Sequence, residues 1–311
     1  MKEDNFFSFV LPAYKAKFLR KAIQSILNQS YSHFELIIVD DASPENLKDI
    51  VSSFNDSRIQ YHRNDKNLGG VNLVKNWNHS ISFATGDYMI LASDDDTYEK
   101  EFLSEINKLI DKYPDIDLYK ARTQKIDEEE KIIDVDPHFF EHSSMLEFLY
   151  HRRKGMISCV SNHVFRRSTL KAIGNFIEFP VAWHSDAATV AIMAKKGVAT
   201  TNQILFSFRS SGINISSKKD VNLDSQKLKA TKLYHEWFDS NISFQPENEY
   251  EKFLAKKIIE KNNQDKEYMC SMLFNSHSFF QALSILKEIH NTRLLSNKQL
   301  IKLLMRYMLR L

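Results

Sequence analysis

Three consecutive carboxylates, Asp94-Asp95-Asp96, follow the apolar run Tyr88-Met89-Ile90-Leu91. Adjacent ionised carboxylates repel one another unless a cation or solvent relieves them. Hard divalent cations such as Mg2+ and Mn2+ take oxygen ligands, commonly a few carboxylates together with phosphate oxygens. The triplet reads either as such a site or as a solvated turn in which Asp96 caps the helix beginning near Phe102. A second acidic pair, Asp40-Asp41, follows Leu36-Ile37-Ile38-Val39. A carboxylate there suits a base N–H or a ribose hydroxyl; the alternative is capping of the next helix by Asp41 or Ser43. Asn67-Leu68-Gly69-Gly70 precedes a helical pattern, where backbone N–H groups can approach a diphosphate or a plain tight turn can form. The first apolar run ends in Leu11-Pro12-Ala13-Tyr14.

The elements that carry these residues alternate. Segments 6–11, 34–39, 59–62, 88–92 and 116–120 are apolar runs of strand length. Between them, apolar residues recur at helical spacing: Phe18, Leu19, Ala22, Ile23, Ile26 and Leu27 are one set, and Val71, Val74, Trp77, Ile81 and Ala84 another. A helix is also expected over 44–54, opened by Pro44, and another from Phe102 to a stop before Pro114. This alternation predicts a mostly parallel sheet covered by helices. The polar clusters then fall at strand carboxyl ends, where open parallel sheets bind ligands. After Ala121 the pattern loosens. Segment 127–131 is a charge cluster expected as a solvated hairpin tip or loop, with helices at 145–150, 167–173 and 185–196 and strands at 160–165 and 204–208. From about Asp224 onward glycine is absent, and a helical C-terminal part is expected.

Composition narrows the function classes. Lys+Arg number 42 against 40 Asp+Glu, and the resulting +2 gives no support to a nucleic-acid binder. The chain has no Walker-type or dinucleotide-type glycine pattern, which counts against ATPase and dehydrogenase chemistry. A receiver-type acidic pocket would need its aspartate pair on the first strand and is rejected. Cys159 and Cys270 have no metal-type spacing and suit a reducing cytoplasm. With no signal-peptide pattern and no run of about 20 apolar residues, a soluble or peripheral cytoplasmic protein is expected. Near the end, Leu300, Ile301, Leu303, Leu304, Tyr307, Met308 and Leu311 alternate with Lys298, Lys302, Arg306 and Arg310. That basic amphipathic helix suits either the inner face of a membrane or packing on the protein itself. The sequence carries no signal for oligomeric state.

The series Val10-Leu11-Pro12-Ala13-Tyr14, Ile38-Val39-Asp40-Asp41-Ala42-Ser43, Asn67-x-Gly69, Asn78, Ala84-x-Gly86-Asp87-Tyr88 and Ser93-Asp94-Asp95-Asp96 resembles the family 2 glycosyltransferases over about residues 6–215. The resemblance implies a GT-A fold and an inverting enzyme of the bacterial cell-surface polysaccharide type. Its donor would be a nucleotide-diphosphate sugar and its acceptor a glycan or lipid-linked saccharide. It implies that Pro12, Tyr14 and Asp41 contact the nucleobase region with Asp40 as support, and that Asn67 and Gly69 border the donor. Asp94 and Asp95 would meet the ribose and an Mn2+– or Mg2+–diphosphate, with Asp96 as a second ligand and Asp95 the first choice. Many relatives have an acidic residue where this chain has Ser93.

On the acceptor side, Pro180-Val181-Ala182-Trp183-His184-Ser185-Asp186-Ala187 resembles the family's acidic motif at a helix start. Asp186 is the expected general base, or else the cap of that helix. Here Ser185-Asp186 stands where many relatives carry Glu-Asp. Trp183 reads as a sugar platform or as core, and His184 as an acceptor contact or as packing. Arg209 reads as a diphosphate contact or as a surface salt bridge, and Asn214 and Ser216 fall in a loop that would close over the donor. UDP is the default nucleotide because Asp41 suits a uracil N–H. A sugar-nucleotide nucleotidyltransferase is the alternative, but it would need a glycine-rich loop where this chain has Pro12-Ala13-Tyr14-Lys15. A non-catalytic sugar-nucleotide-binding relative is a second alternative. The expected domains are 1–222, with a nucleotide-sugar half 1–120 and an acceptor half 121–222, and a helical part 223–311.

Overall fold

The computed structural model describes residues 4–212 and 220–308. Asn214, Ser216, Arg310 and Leu311 lie outside the described residues, as does the side chain of Met308. By its internal contacts the chain divides into two compact units. The first is Met1–Ile177 with Thr189–Ser211, and the second is Glu178–Ala188 with Gly212–Leu311.

The first unit is built on strands β1 (Phe7–Ala13), β2 (Phe34–Asp40), β3 (Ile59–Arg63) and β4 (Tyr88–Leu91). They pair in parallel in the order β3-β2-β1-β4. β2 and β4 are buried along their whole length and β1 at all but Pro12. This is why they read as continuous apolar runs rather than alternating ones. Helices α1 (Leu19–Leu27), α2 (Leu47–Ser52), α3 (Leu73–Ser80) and α4 (Phe102–Lys112) follow strands as expected. The abundant phenylalanines find their use here. Phe9 lies 5.0 Å from Tyr98 and 6.0 Å from Phe102, between ring centroids, in a core that also takes Phe7, Phe34 and Phe206.

The sheet continues through β9 (His163–Arg166), β6 (Leu118–Ile126), β10 (Val198–Arg209) and β5 (Thr97–Tyr98). β9 runs antiparallel to β4 and β6, whereas β10 and β6 are parallel. β6 and β7 (Ile132–Val135) form an antiparallel hairpin whose turn is the 127–131 charge cluster. β8 (His142–Ser143) pairs with β10. Two helices of this part, α5 (Met145–Arg152) and α6 (Arg167–Ala172), match their expected positions within two residues.

One local detail opens the ligand edge. The β1–β4 ladder stops at Val10↔Leu91, while the β1–β2 ladder runs on to Ala13↔Asp40. β1 and β4 therefore part at their carboxyl ends, at the point where strand order reverses. Pro12, which has no N–H to offer, sits beyond the last β4 partner. Gly86 is required for the entry of β4: a Cβ there would stand 2.7 Å from the Phe6 carbonyl oxygen.

The second unit is helical, as expected, with α8 (Val221–Asn241), α9 (Glu249–Asn275), α10 (Phe279–Thr292) and α11 (Asn297–Met308). Leu228, Cys270, Leu273, Phe274, Ile285 and Ile289 form its core, and Leu303 and Tyr307 of α11 join them. Part of the apolar stripe of α11 is thus packed internally, while Ile301 and Met305 remain 61% and 60% exposed beside exposed Lys298, Lys302 and Arg306. The division differs from the expected boundary at residue 222. Segment 178–188 belongs with the helices because Phe179 and His184 pack on Tyr234 of α8. The boundary passes through α7 (Ser185–Met193), between Ala188 and Thr189.

Candidate functional site

Asp40 and Asp41 end β2 and turn in different directions. Asp40 is buried; its Oδ1 accepts from the Ser43 N–H at 2.8 Å, and its Oδ2 from the Tyr61 hydroxyl at 2.7 Å and the Arg63 guanidinium. Burial first, and then the Asp40 carboxylate, push the Tyr61 phenol up to about 12. Asp40 is an internal brace. Asp41 is 3% exposed and holds the loop that follows β3. It accepts from Asn64 Nδ2 at 2.8 Å, the Leu68 N–H at 2.8 Å and the Gly69 N–H at 2.7 Å. A carboxylate offers about four acceptor positions, so one remains beyond these three. Gly69 is glycine because a Cβ would meet Asp41 Oδ2 at 2.9 Å. Its N–H is already given to Asp41, while Asn67 Oδ1 accepts from the Gly70 N–H at 2.5 Å. Neither aspartate caps α2; Asn46 does that. The cap of α3 is Asn72, so the helix begins two residues later than the Val71 start implied by periodicity.

Asp94 joins the ends of β1 and β4. Its Oδ2 accepts from the N–H groups of Tyr14 and Lys15 at 3.0 and 2.9 Å, and the Ser43 hydroxyl donates to the Tyr14 carbonyl at 2.6 Å. The first strand end is therefore pinned between both acidic loops, leaving the Tyr14 side chain 39% exposed. Ser93 donates its hydroxyl to Asp95 Oδ1. Asp96 turns inward: its Oδ1 accepts from the Arg209 N–H at 2.9 Å, and it interacts with the Ser161 side chain. Burial, the larger cause, and the Asp95 charge hold the Asp96 carboxyl well above the usual range. Burial also raises Asp94, against the pull of the two backbone donors.

Among the described residues, no group of three or more His, Cys, Asp or Glu side chains is arranged to hold a metal. Asp94 Oδ1 and Asp95 Oδ2, however, have no protein donor among the described residues. Two free carboxylate oxygens at a strand edge fit a divalent cation whose remaining ligands are phosphate oxygens. Asp96, committed to Arg209 and Ser161, offers less.

Arg209 is fully buried at the end of β10. Its Nε donates to the Asp95 carbonyl at 2.9 Å, Nη1 to the carbonyls of Asp127 and Glu128 at 3.2 and 3.4 Å, and Nη2 to Glu130 Oε1 at 3.0 Å. The guanidinium also lies over the Phe18 ring, 4.5 Å from its centroid. The expected ion pair is present, with Glu130, but its cation is buried rather than at the surface, and it ties the acidic loop to the β6–β7 turn from inside. That turn is not simply solvated either, since Glu128 pairs with Lys17 and Glu130 with Lys21. Asn78 of the sequence series bonds the Phe176 backbone through both amide atoms and is structural.

In the helical unit, Asp186 is the second residue of α7 and not its cap; its Oδ1 accepts from the Ala187 N–H at 2.7 Å. A carboxylate suits the positive end of a helix. Val181, Ala182 and His184 adopt φ of 51°, 56° and 69°, a left-handed backbone that is uncommon outside glycine and an outlier for valine. No sequence signal marks this. His184 stacks on Tyr234 with centroids 4.6 Å apart, and its Nε2 is 3.0 Å from Thr231 Oγ1. Trp183 lies over Lys227 Nζ at 5.1 Å, and its buried Nε1 has no hydrogen-bond partner among the described residues.

The family model described as Glycosyl transferase family 2 matches residues 8–174, more than half of the chain, from within β1 through the acidic loops. The chain belongs to glycosyl transferase family 2. The putative colanic acid biosynthesis glycosyl transferase WcaA of Escherichia coli (strain K12) is 38% identical over 107 residues, 33% of this chain and 37% of that protein. The UDP-Glc:alpha-D-GlcNAc-diphosphoundecaprenol beta-1,3-glucosyltransferase WfgD of Escherichia coli is 30% identical over 97 residues, 31% of this chain and 37% of that protein. The chain thus spans little more than a third of these curated relatives. The crystal structure of S. aureus TarS 1-349 in complex with UDP-GlcNAc superposes with a TM-score of 0.72 at 16% identity, covering 94% of this chain and 82% of that one. Mannosyltransferase PcManGT from Pyrobaculum calidifontis, in complex with GDP-Man and Mn2+, gives 0.58 at 13% identity, covering 99% and 81%. At such identities the likeness shows the fold, which is the GT-A fold expected.

Proposed function

We propose that the protein transfers one sugar from a nucleotide-diphosphate sugar, with UDP the first choice of nucleotide, to a glycan or lipid-linked saccharide during cell-surface polysaccharide synthesis. The observation that carries this reading is the strand edge where β1 and β4 part. There the acidic loops of a family 2 chain converge with two carboxylate oxygens unpaired. WfgD, whose name describes transfer from UDP-Glc to a diphosphoundecaprenol-linked sugar, supports the choice of donor and acceptor class.

In this reading Asp95, with Asp94, holds Mn2+ or Mg2+ against the donor diphosphate. The cation supplies Lewis-acid stabilisation of the departing diphosphate. Tyr14, Pro12 and the remaining acceptor position of Asp41 face the base and ribose. Asp186 takes the proton of the acceptor hydroxyl as its oxygen bonds to the anomeric carbon, and the bond to the diphosphate oxygen breaks on the opposite face, inverting the configuration. Arg209 acts from behind, fixing the Asp95–Asp96 backbone. The exposed cations of α11 support a contact with the anionic face of the cell membrane. No helix among the described residues is long and apolar enough to cross a membrane.

The test is thermal unfolding with a panel of UDP-, GDP- and dTDP-sugars, each with and without Mn2+. Stabilisation by a nucleotide-sugar that requires the metal, and that Asp95→Asn abolishes, is the expected result. Absence of a response to every nucleotide, or a response unchanged in Asp95→Asn, would refute the reading.

A further inference from the structure

The helical unit contains a buried Asp–Lys ion pair with a histidine against it that the donor chemistry does not use. Asp224, Lys227 and His277 are almost completely shielded from solvent. Asp224 Oδ1 accepts from Lys227 Nζ at 2.9 Å, and Asp224 Oδ2 is 2.7 Å from His277 Nε2. Charges this deeply buried are costly to desolvate, and replacing such a set by apolar residues is often neutral or stabilising. Stability alone is thus a weak reason for their presence. The cluster reaches the acceptor-side segment through Lys227, whose Nζ faces the Trp183 ring.

Lys227 is also the first of three α8 residues at helical spacing, Lys227, Thr231 and Tyr234, that share one face. All three grip the same short segment. Lys227 lies against Trp183, Thr231 Oγ1 meets His184 Nε2, and Tyr234 stacks on His184 and meets Phe179 edge-on. The gripped segment holds the left-handed residues Val181, Ala182 and His184 and delivers Asp186 two residues later. Backbone of this kind persists only where its surroundings over-determine it. The Phe179 N–H bond to Ser185 Oγ at 3.1 Å closes the segment on itself, but it does not set the Trp183 and His184 side chains.

We infer that Asp224, Lys227 and His277 are positioning residues for the acceptor side: His277 orients Asp224, Asp224 fixes Lys227, and Lys227 clamps Trp183 so that the strained turn presents Asp186 in its working geometry. This rests on the reading of Asp186 as the base. The cluster belongs to the helical unit and the acidic donor loops to the other, so its loss should lower turnover without weakening donor binding.

The experiment uses the full chain with Trp77→Phe and Trp237→Phe, leaving Trp183 as the fluorescent probe. In that background Asp224→Asn with Lys227→Met removes both charges together and leaves no lone buried ion. The expected results are a shifted Trp183 emission, a kcat at least tenfold lower, and a donor KM and donor-induced thermal shift within twofold of the parent. Lys227→Arg should recover kcat to within about threefold. A kcat within twofold of the parent would overturn the inference, as would a loss of kcat accompanied by an equal loss of donor binding. Should the double variant fail to fold, His277→Leu decides, because it removes the group that orients Asp224 and leaves the Asp224–Lys227 pair in place; a kcat at the parent value overturns the inference. Asp186→Asn separates the two levels. If it stays active the base assignment falls, whereas an inactive Asp186→Asn beside a fully active cluster variant removes the positioning claim alone.

Discussion

His163 shows what a single buried side chain does to acid tolerance. It is enclosed between β4 and β6, its Nδ1 donates to the Cys159 carbonyl at 2.7 Å, and its Nε2 has no partner among the described residues. Burial first, with the neighbouring Lys120 charge, lowers its pKa from 6.5 to about 3. The folded protein keeps this imidazole neutral where the unfolded chain would protonate it. Its contribution is therefore complete above pH 6.5 and is lost as pH falls from there towards 3, by up to about 1.4 kcal/mol per pH unit. Urea unfolding of His163→Gln between pH 6.5 and 5 should show a shallower decline than the parent by about 1 kcal/mol per unit; parallel declines would contradict this. At this scale, the sequence singled out the carboxylates at the strand ends but not the partners each of them bonds. Asp40, Asp41 and Asp94–Asp96 were legible because each follows an apolar run. That Asp41 is wrapped by the Gly69 loop, or that Arg209 lies inside, depends on partners 28 and 114 residues away that no spacing encodes.

Among elements, β6 carries a fully buried ion pair. Lys120 Nζ meets Asp136 Oδ2 at 2.6 Å with both side chains fully buried, and Asp136 also accepts from the N–H groups of Thr123 and Ile157. Burial, the larger cause, lowers the Lys120 pKa despite its partner. Breaking a buried pair from one side leaves an uncompensated charge, which costs about 3–5 kcal/mol. Lys120→Met should lose stability on that order in denaturant unfolding. Adding Asp136→Asn should recover part of it, and additive losses would count against the pair. The strand was expected at 116–120 and runs Leu118–Ile126, while β10 was expected at 204–208 and runs Val198–Arg209. Both are extended by neighbours: the hairpin partner β7 for one, and β8 at the start of the other. Strands of two to four residues such as β5, β7 and β8 owe their conformation to pairing, so periodicity could not reveal them. The long buried strands and amphipathic helices of the first 120 residues, by contrast, carry their own pattern.

For the molecule as a whole, α11 changes how membrane contact should be tested. Deleting it would remove Leu303 and Tyr307 from the core of the helical unit and the Tyr307 hydroxyl bond to the His277 carbonyl at 3.1 Å. A deletion would therefore confuse unfolding with lost binding. Lys298→Glu, Lys302→Glu and Arg306→Glu leave that packing intact. With each cation contributing about 1 kcal/mol near an anionic surface, the triple variant should lose co-sedimentation with phosphatidylserine vesicles while unfolding within about 2 °C of the parent. Equal sedimentation of both proteins would dismiss α11 as the contact. The expected boundary at residue 222 misplaced 178–188 because composition changes along the chain, whereas the segment is assigned by aromatic packing on α8.

The left-handed turn at 181–184 has a consequence for how this sequence can vary. The chain has only seven glycines, and none stands at the three left-handed positions of that turn, where glycine would be most at ease. Substitutions there that relax the backbone should be easy to find in a screen for thermal tolerance, and the same substitutions should loosen the hold on Asp186. With Asp186 as the proposed base, stability and turnover would be set in opposition at this turn, so selection for heat resistance alone would tend to erode catalysis.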